Sequence, residues 1–427
     1  MFVLAVALVA VSLLYTGLIV AKSRRQVPVP LHGDTDLRYI FVVPCLDEER
    51  VIAATLRSLC ALPLGRTRII VVDDDSADAT AEIARSLWPR VELLQRRKPR
   101  AQLGKGDALN MAYQYVLDTL DHPLEQTVMG VVDADGRVAQ ALIPIADRYF
   151  SEKDVGGLQL AISIMNRSQG ILPRMQDFEF LGFAPVLLRA REHLGSVALG
   201  GNGQFVRLSE LSKLGPEPWT DNLTEDLDMG IRLALHGSRI RFTAETMIDQ
   251  QGLPDIKRLV RQRTRWVQGH LTCWALIPQI WRSNLANKAF LDFVYLLLSP
   301  GLMLLSSISF AVAPLLLAWT LLSTPSAWST SSVWMFLLAV YLLMFGPGLV
   351  YGVGYAARRP EVGLPKALAI SHLMPLYTYV WYVASWRALV RIVLRRRGWS
   401  KTTRVAEPPP REGLRRGRHA RRRGVVG

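Results

Sequence analysis

Cysteine is scarce. The chain has three among 427 residues, Cys45, Cys60 and Cys273, an odd number with none at metal-ligand spacing. That excludes a disulfide framework and a cysteine zinc site, and it suits a reducing compartment. No internal repeat is visible, and the G-x-x-x-x-G-K-[ST] phosphate loop is missing. Charged residues make up only 20%. Although 51 Lys and Arg exceed 36 Asp and Glu to give a net charge of +15, no aromatic-rich basic module accompanies the excess, so nucleic acid is not an expected partner. The arginines crowd beside apolar runs and at the C-terminal end, where they suit lipid headgroups.

What is present is hydrophobicity in blocks. Half the residues are hydrophobic, and the long apolar runs lie at residues 1–20 and from 288 onward, with a more polar middle between them. A soluble domain between membrane segments produces this pattern. Residues 1–22 form an apolar stretch long enough to cross a bilayer, with Lys22, Arg24 and Arg25 at its end. Charge on that side favours a retained anchor with a cytoplasmic C-terminal flank over a cleaved signal. The expected location is the plasma membrane, multi-pass, with the catalytic domain cytoplasmic.

In the region 288–394, runs at 289–322 and 333–356 are long enough to span. A third, 367–394, has basic residues on both flanks and Arg387 and Arg391 inside it, so it reads as interfacial or re-entrant. Ser299-Pro300-Gly301 leaves open that the first run makes two passes. Residues 400–427, dominated by Pro, Gly and Arg, read as a disordered basic tail suited to anionic lipid.

Residues 36–250 alternate apolar runs with amphipathic stretches. "YIFVVPC", "RIIVVDDD", "VELLQR" and "VMGVVDAD" read as buried strands, and 49–62, 78–87 and 104–120 as helices between them. Alternation of this kind predicts an α/β domain with a mostly parallel, doubly wound sheet. Ligands of such sheets bind beyond the C-terminal strand ends, and Asp73, Asp74 and Asp75 close one strand there, Asp133 and Asp135 another.

Several motifs carry chemistry. Asp74 stands where a carboxylate can accept a hydrogen bond from a uracil ring, while Ser76 and Asp78 suit helix capping. Asp133 and Asp135, two apart at a turn, can offer oxygens to one hard divalent ion that also bridges to phosphate. Lys105, between Gly104 and Gly106 at a helix N-terminus, adds charge where free N–H groups favour phosphate. "GGNGQFVR" brings Gly203 and Gln204 to a backbone that passes close to a ligand or forms a bulge. Thr224, Glu225 and Asp226 open a helix ending at Gly237; Asp226 is suited to act as a general base if it faces a cleft, whereas Asp228 fits complementing the helix dipole.

Residues 254–282 read as amphipathic interfacial helices. At 100° per residue Arg258, Arg261 and Arg265 share one face, and Ile256, Val260, Val267, Leu271 and Trp274 the other. Gln262, Arg265 and Trp266 lie between, while Arg263 points to the apolar side.

These pieces, in this order, resemble the membrane-bound family-2 glycosyltransferases, which include the cellulose, hyaluronan, chitin and poly-N-acetylglucosamine synthases. Asp74, the D-x-D of Asp133 and Asp135, the T-E-D of Thr224 to Asp226 and the Q-x-x-R-W of Gln262, Arg265 and Trp266 carry the likeness. It implies a GT-A fold, a UDP-sugar donor (glucose or N-acetylglucosamine) and inversion at the anomeric carbon. Asp74 then contacts uridine with Lys105, Gln262 and Arg265 on the donor; Asp133 and Asp135 hold Mg²⁺ or Mn²⁺; Asp226 is the base, with Thr224 and Glu225 beside it; and Trp266, Gly203 and Gln204 meet the acceptor. Asp75 departs from the family, which commonly has glycine there.

Q-x-x-R-W is associated with processive synthesis of a β-linked polysaccharide coupled to its translocation, and that is the leading expectation. Few passes are available for a channel unless the chain forms a homo-oligomer or has an accessory membrane protein. "GGNGQFVR" and "EDLDMGIRLAL" are also similar to the bacterial enzymes that glucosylate diacylglycerol, so a single transfer to membrane lipid is the alternative. A catalytically inactive membrane scaffold ranks last, because the acidic set is complete.

Overall fold

The computed structural model describes residues 2–33, 36–323 and 331–396; the tail expected at 400–427 lies outside the described residues. The four apolar runs form β1 (Arg38–Cys45), β2 (Thr67–Asp73), β3 (Glu92–Gln95) and β4 (Thr127–Val131). β1, β2 and β4 are buried almost throughout, as strands covered on both faces must be. Three more strands join them: β5 (Val155–Ile164), β6 (Gln204–Arg207) and β7 (Arg239–Gln250). The sheet order is β3-β2-β1-β4-β6-β5-β7. β6 runs antiparallel to β4 and β5, and every other pairing is parallel.

The sheet separates two cores. One face packs Tyr39, Phe41, Val71 and Phe205 against Ile52, Leu56, Leu142 and Phe150. The other packs Ile40, Val42, Val72 and Met129 against Leu109 and Tyr113, and continues into Phe178, Leu181, Tyr355 and Tyr377. The second core therefore runs from the sheet into the C-terminal helices without a break. A third joins Leu227 and Ile231 to Cys273, Ile280, Phe293 and Leu297.

Helices Asn287–Ser323 and Ser331–Arg358 contain the two apolar segments long enough to cross a membrane by length and composition, Asn287–Val312 and Val333–Arg358. The first helix runs through Ser299-Pro300-Gly301 unbroken, so one helix replaces the two passes left open. The weaker third run divides into Leu364–Ser371 and Met374–Val393. Leu305, Ile308, Leu315 and Trp319 on the first of these helices, and Met335 and Leu338 on the second, are exposed, as side chains meant for lipid would be.

Three acids, Asp292 and Asp177 buried and Glu179 half-buried, join the sheet domain to the helices that follow it. Arg191 lies 2.9 Å from Asp292, Arg359 lies 2.9 Å from Asp177, and Arg263 lies 2.8 Å from Glu179. Asp177 and Glu179 belong to one continuous helical stretch whose segment Phe178–Phe183 is π-helical. Each pair is hydrogen-bonded as well as paired, the condition on which a buried charge is tolerated.

Candidate active site

The C-terminal ends of β1, β2 and β4 lie along one sheet edge, opposite the start of β6. On the β2 side, Asp74 Oδ1 accepts from Gln102 N at 2.9 Å and lies 3.1 Å from Arg96 Nη1. Burial raises the Asp74 carboxyl above its usual range, against Gln102 N–H and Arg96, which lower it. Arg96 also reaches Asp107 and the Arg100 carbonyl. A largely buried carboxylate backed by a backbone amide and a buried guanidinium has the donors and acceptors to meet a ring such as a nucleobase. Neither Arg96 nor Gln102 was expected from sequence.

Asp75, where glycine is usual in the family it resembles, has φ of 66°. That left-handed conformation costs a side chain about 1 kcal/mol, less for Asp than for most, and its ion pair with Arg97 at 3.0 Å is largely exposed and worth little. Asp75→Gly is therefore expected to keep the fold with stability unchanged or raised by up to about 1 kcal/mol, read as thermal unfolding in detergent; a loss would mean that the turn is not strained.

The centre of the edge is a cluster of charge. Lys105, first residue of the helix Lys105–Asp118, places Nζ 2.6 Å from Asp133 Oδ1 and 2.7 Å from Gly201 O. Glu225 Oε1 is 3.9 Å away. Asp226 completes the group: a Cβ built on Gly201 would sit 3.3 Å from both Asp226 Oδ2 and Lys105 Nζ. A side chain at Gly201 would crowd both charged groups. Asn202 Oδ1 accepts from Asp133 N at 3.1 Å and its Nδ2 donates to Gln250 at 2.9 Å, which fixes that loop.

Burial pushes the Glu225 carboxyl up to about 7, aided by Asp226 and opposed by Lys105. Burial also raises Asp226, again against Lys105. For Lys105 burial acts downward, but Asp133 and Glu225 outweigh it and hold the ammonium above its usual value. Both acids thus depend on one lysine for their ionised form. Lys105→Met should move the acid limb of the kcat/KM profile to higher pH, since removing a cation raises both carboxyls. A limb that stays or moves down would sink the claim that these acids set it.

The two D-x-D carboxylates are placed differently. Asp133 opens to the cleft, while Asp135 is buried and its Oδ2 accepts from Gln251 N at 3.0 Å. Among the described residues no group of three acidic, histidine or cysteine side chains could hold a metal. The hard oxygen donors nevertheless fit a divalent ion that completes its shell with diphosphate oxygens and water.

Gly203 and Gln204 require correction. Both are buried at the sheet: Gly203, with φ of 72° and a Cβ position 2.9 Å from Ile248, immediately precedes β6, and Gln204 is 1% exposed. Neither presents an atom to an acceptor. Asp228 pairs with Arg232 at 2.7 Å, a structural role. Asp78 accepts from Thr80 N at 3.0 Å, but Ala79 occupies the cap position itself.

The Q-x-x-R-W helix, Ile256–Thr272, is capped by Asp255, which accepts from Arg258 N at 2.8 Å. Arg261 is exposed, Arg265 and Trp266 are half-buried and Gln262 is buried. Arg265 is near enough to Glu225 to lower its carboxyl, which brings the motif to the acid cluster. Ile256 and Trp274, placed on the apolar face, are exposed. Arg263, placed on the apolar side, is wholly buried, with its guanidinium 4.0 Å from the centre of the Trp266 ring. One side of that indole is therefore occupied.

A family model described as glycosyltransferase like family 2 matches residues 37–269, more than half of the chain and the whole of the edge just described. The chain belongs to this family. It is 31% identical over 293 residues to the beta-monoglucosyldiacylglycerol synthase of Synechocystis sp., covering 64% of this chain and 58% of that one. With the poly-beta-1,6-N-acetyl-D-glucosamine synthase of Staphylococcus aureus it shares 27% over 241 residues, 54% of this chain and 53% of the other. The chain thus spans about half the length of the curated relatives it matches. Among solved structures, a mannosyltransferase from Pyrobaculum calidifontis in complex with GDP-Man and Mn²⁺ superposes with a TM-score of 0.57 at 17% identity, covering 87% of this chain and 98% of that one. The fold of this family member is GT-A.

Proposed function

We propose that the chain transfers a sugar from a UDP-sugar, with inversion, to a hydroxyl of an acceptor at a membrane surface, and that the acceptor is a lipid of the diacylglycerol type. The observation that carries the transferase reading is the cluster of Lys105, Asp133, Glu225 and Asp226 beside Asp74, all on the strand-end edge of a family-2 domain. The lipid acceptor is favoured because the relatives at 31–32% identity are named as beta-monoglucosyldiacylglycerol synthases, whereas the poly-N-acetylglucosamine synthases stand at 27%. The Q-x-x-R-W motif supports the polysaccharide reading, the leading expectation from sequence, which here becomes the second.

In the reaction the acceptor oxygen attacks the anomeric carbon, the bond from that carbon to the diphosphate oxygen breaks, and Asp226 takes the hydroxyl proton. Asp74, Gln102 and Arg96 hold the base of the nucleotide. Lys105 turns from Asp133 toward the diphosphate, and Arg265 adds charge beside it in fork geometry. Asp133 and Asp135 would hold a divalent ion, which would supply positive charge beside the departing diphosphate. Gly201 keeps the space between base and donor open.

The test is product analysis with purified full-length protein in detergent, labelled UDP-glucose or UDP-N-acetylglucosamine, diacylglycerol, and Mg²⁺ or Mn²⁺. A single chloroform-soluble glycolipid that fails to form with chelator is expected. A ladder resistant to lipid extraction would reverse the order of the two acceptor readings, and no sugar transfer or UDP release at all would sink both.

A further inference from the structure

Arg263 has no task in this chemistry, although it sits inside the Q-x-x-R-W motif. It is 0% exposed. Nη2 lies 2.8 Å from Glu179 Oε2 and 3.5 Å from the Tyr377 hydroxyl, which itself donates to Glu179 Oε2 at 2.7 Å. The guanidinium faces three rings, 4.0 Å from the centre of Trp266, 4.8 Å from Trp381 and 5.7 Å from Phe180. Nε and Nη1 have no hydrogen-bond partner among the described residues.

For stability alone this is a poor use of an arginine. Five donors are buried and most are left to ring faces, and an apolar side chain of similar length would fill the space without the desolvation cost. What arginine supplies and methionine does not is a rigid flat cation. Stacked on an indole, it holds the ring by the attraction of its charge for the π face.

The cage is drawn from three separate stretches. Arg263 and Trp266 are neighbours on their helix, Glu179 and Phe180 come from the π-helical segment Phe178–Phe183, and Tyr377 and Trp381 come from the last helix, Met374–Val393. Phe180 meets Trp266 edge-on at 6.4 Å and Trp381 leans on it at 6.3 Å. The indole is therefore fixed from three directions, and its plane depends on how the last helix is seated.

We propose that Arg263, oriented by Glu179 and Tyr377, is a positioning residue for the acceptor subsite. It sets the plane of Trp266, so that the uncovered part of the ring meets the acceptor, and it makes that plane depend on the last helix. The inference rests on the reading of Trp266 as an acceptor-side residue.

Full-length Arg263→Lys, Arg263→Met and Tyr377→Phe test it. Lysine keeps the charge without the flat group, and Tyr377→Phe keeps the packing while removing one hydrogen bond to Glu179. Arg263→Met and Arg263→Lys are expected to raise the acceptor KM about tenfold and Tyr377→Phe about threefold, the scale of one charge-assisted hydrogen bond, with the KM for UDP-sugar unchanged. Arg263→Lys in a Trp266→Phe background should add little further loss. Additive losses, or equal rises in both KM values, overturn the proposal.

A second readout does not need turnover. The emission difference between Trp266-containing and Trp266→Phe protein isolates this indole, and Arg263→Lys is expected to shift it. The same difference in both backgrounds refutes the positioning role, whereas a shifted difference in a protein without transferase activity removes the proposed function and leaves the positioning of the ring intact.

Discussion

Asp226→Asn is expected to lower sugar transfer by about a thousandfold, within the range of general-base losses, while UDP still binds. The substitution is nearly isosteric. Asp226 Oδ1 accepts from Leu227 N at 2.9 Å, and an amide oxygen can do the same, so the start of helix Glu225–Leu235 is preserved. What is lost is the basic oxygen that reaches the cleft beside Gly201 and Lys105. Glu225 is the competing base, and its burial argues against it: it is 7% exposed. Asp226, half-buried, is the acid of the pair with access to a hydroxyl. Glu225→Gln should accordingly cost much less, about tenfold, by altering the charge around Lys105. Initial rates of transfer, with calorimetric titration of UDP on the same protein, decide between them. Full activity in Asp226→Asn would remove it as the base.

The aspartates that follow β2 and β4 were legible because their positions follow from strand ends, and strand ends can be read wherever a strand is a continuous apolar run. β1, β2 and β4 are such runs. β7 is not: "RIRFTAETMIDQ" alternates charge with apolar residues, and Arg241 is buried in it at 1% exposure. Its charge is met by Glu152 at 2.6 Å and Glu192 at 2.7 Å, partners about 50 to 90 residues away whose approach no local pattern encodes. β6, four residues long, offered too little periodicity to reveal that it runs against its neighbours. For the same reason Gly203 and Gln204 were assigned to the cleft when they enter the sheet. Arg96 was hidden in "RRKPR", where nothing local distinguishes the one arginine that turns inward to Asp74. The helical wheel did place Arg263 on the apolar side; the cage of Glu179, Phe180, Trp266, Tyr377 and Trp381 that accepts it there is assembled by tertiary structure.

Gly269→Ala carries the second large effect, and it acts at a distance from the reacting atoms. A Cβ at Gly269 would lie 2.6 Å from Thr224 N and 2.7 Å from Thr224 Oγ1. The first of these is backbone and cannot swing aside. Thr224 is also held on its other sides: its N–H donates to Asn222 Oδ1 at 3.2 Å, Asn222 Nδ2 donates to Cys273 Sγ at 3.2 Å, and Thr272 Oγ1 donates to Asn222 Oδ1 at 2.8 Å. The end of the Q-x-x-R-W helix thus clamps the turn that precedes Glu225 and Asp226. A methyl group there must drive the two elements apart by roughly 0.5–1 Å, and displacements of about 1 Å from a reactive geometry cost on the order of a hundredfold in rate. Alanine is the better helix former by about 1 kcal/mol, which offsets part of the strain, so the protein should fold while transfer falls by about a hundredfold. Gly301→Ala is the control: it too is helical, and its Cβ would meet Trp274 at an ordinary 3.5 Å, so activity should be kept. Measured kcat/KM and thermal unfolding of both variants test this geometry. An unchanged kcat/KM in Gly269→Ala would mean that the turn carrying the base can shift without consequence, and that the close approach of helix and turn does not set the position of Asp226.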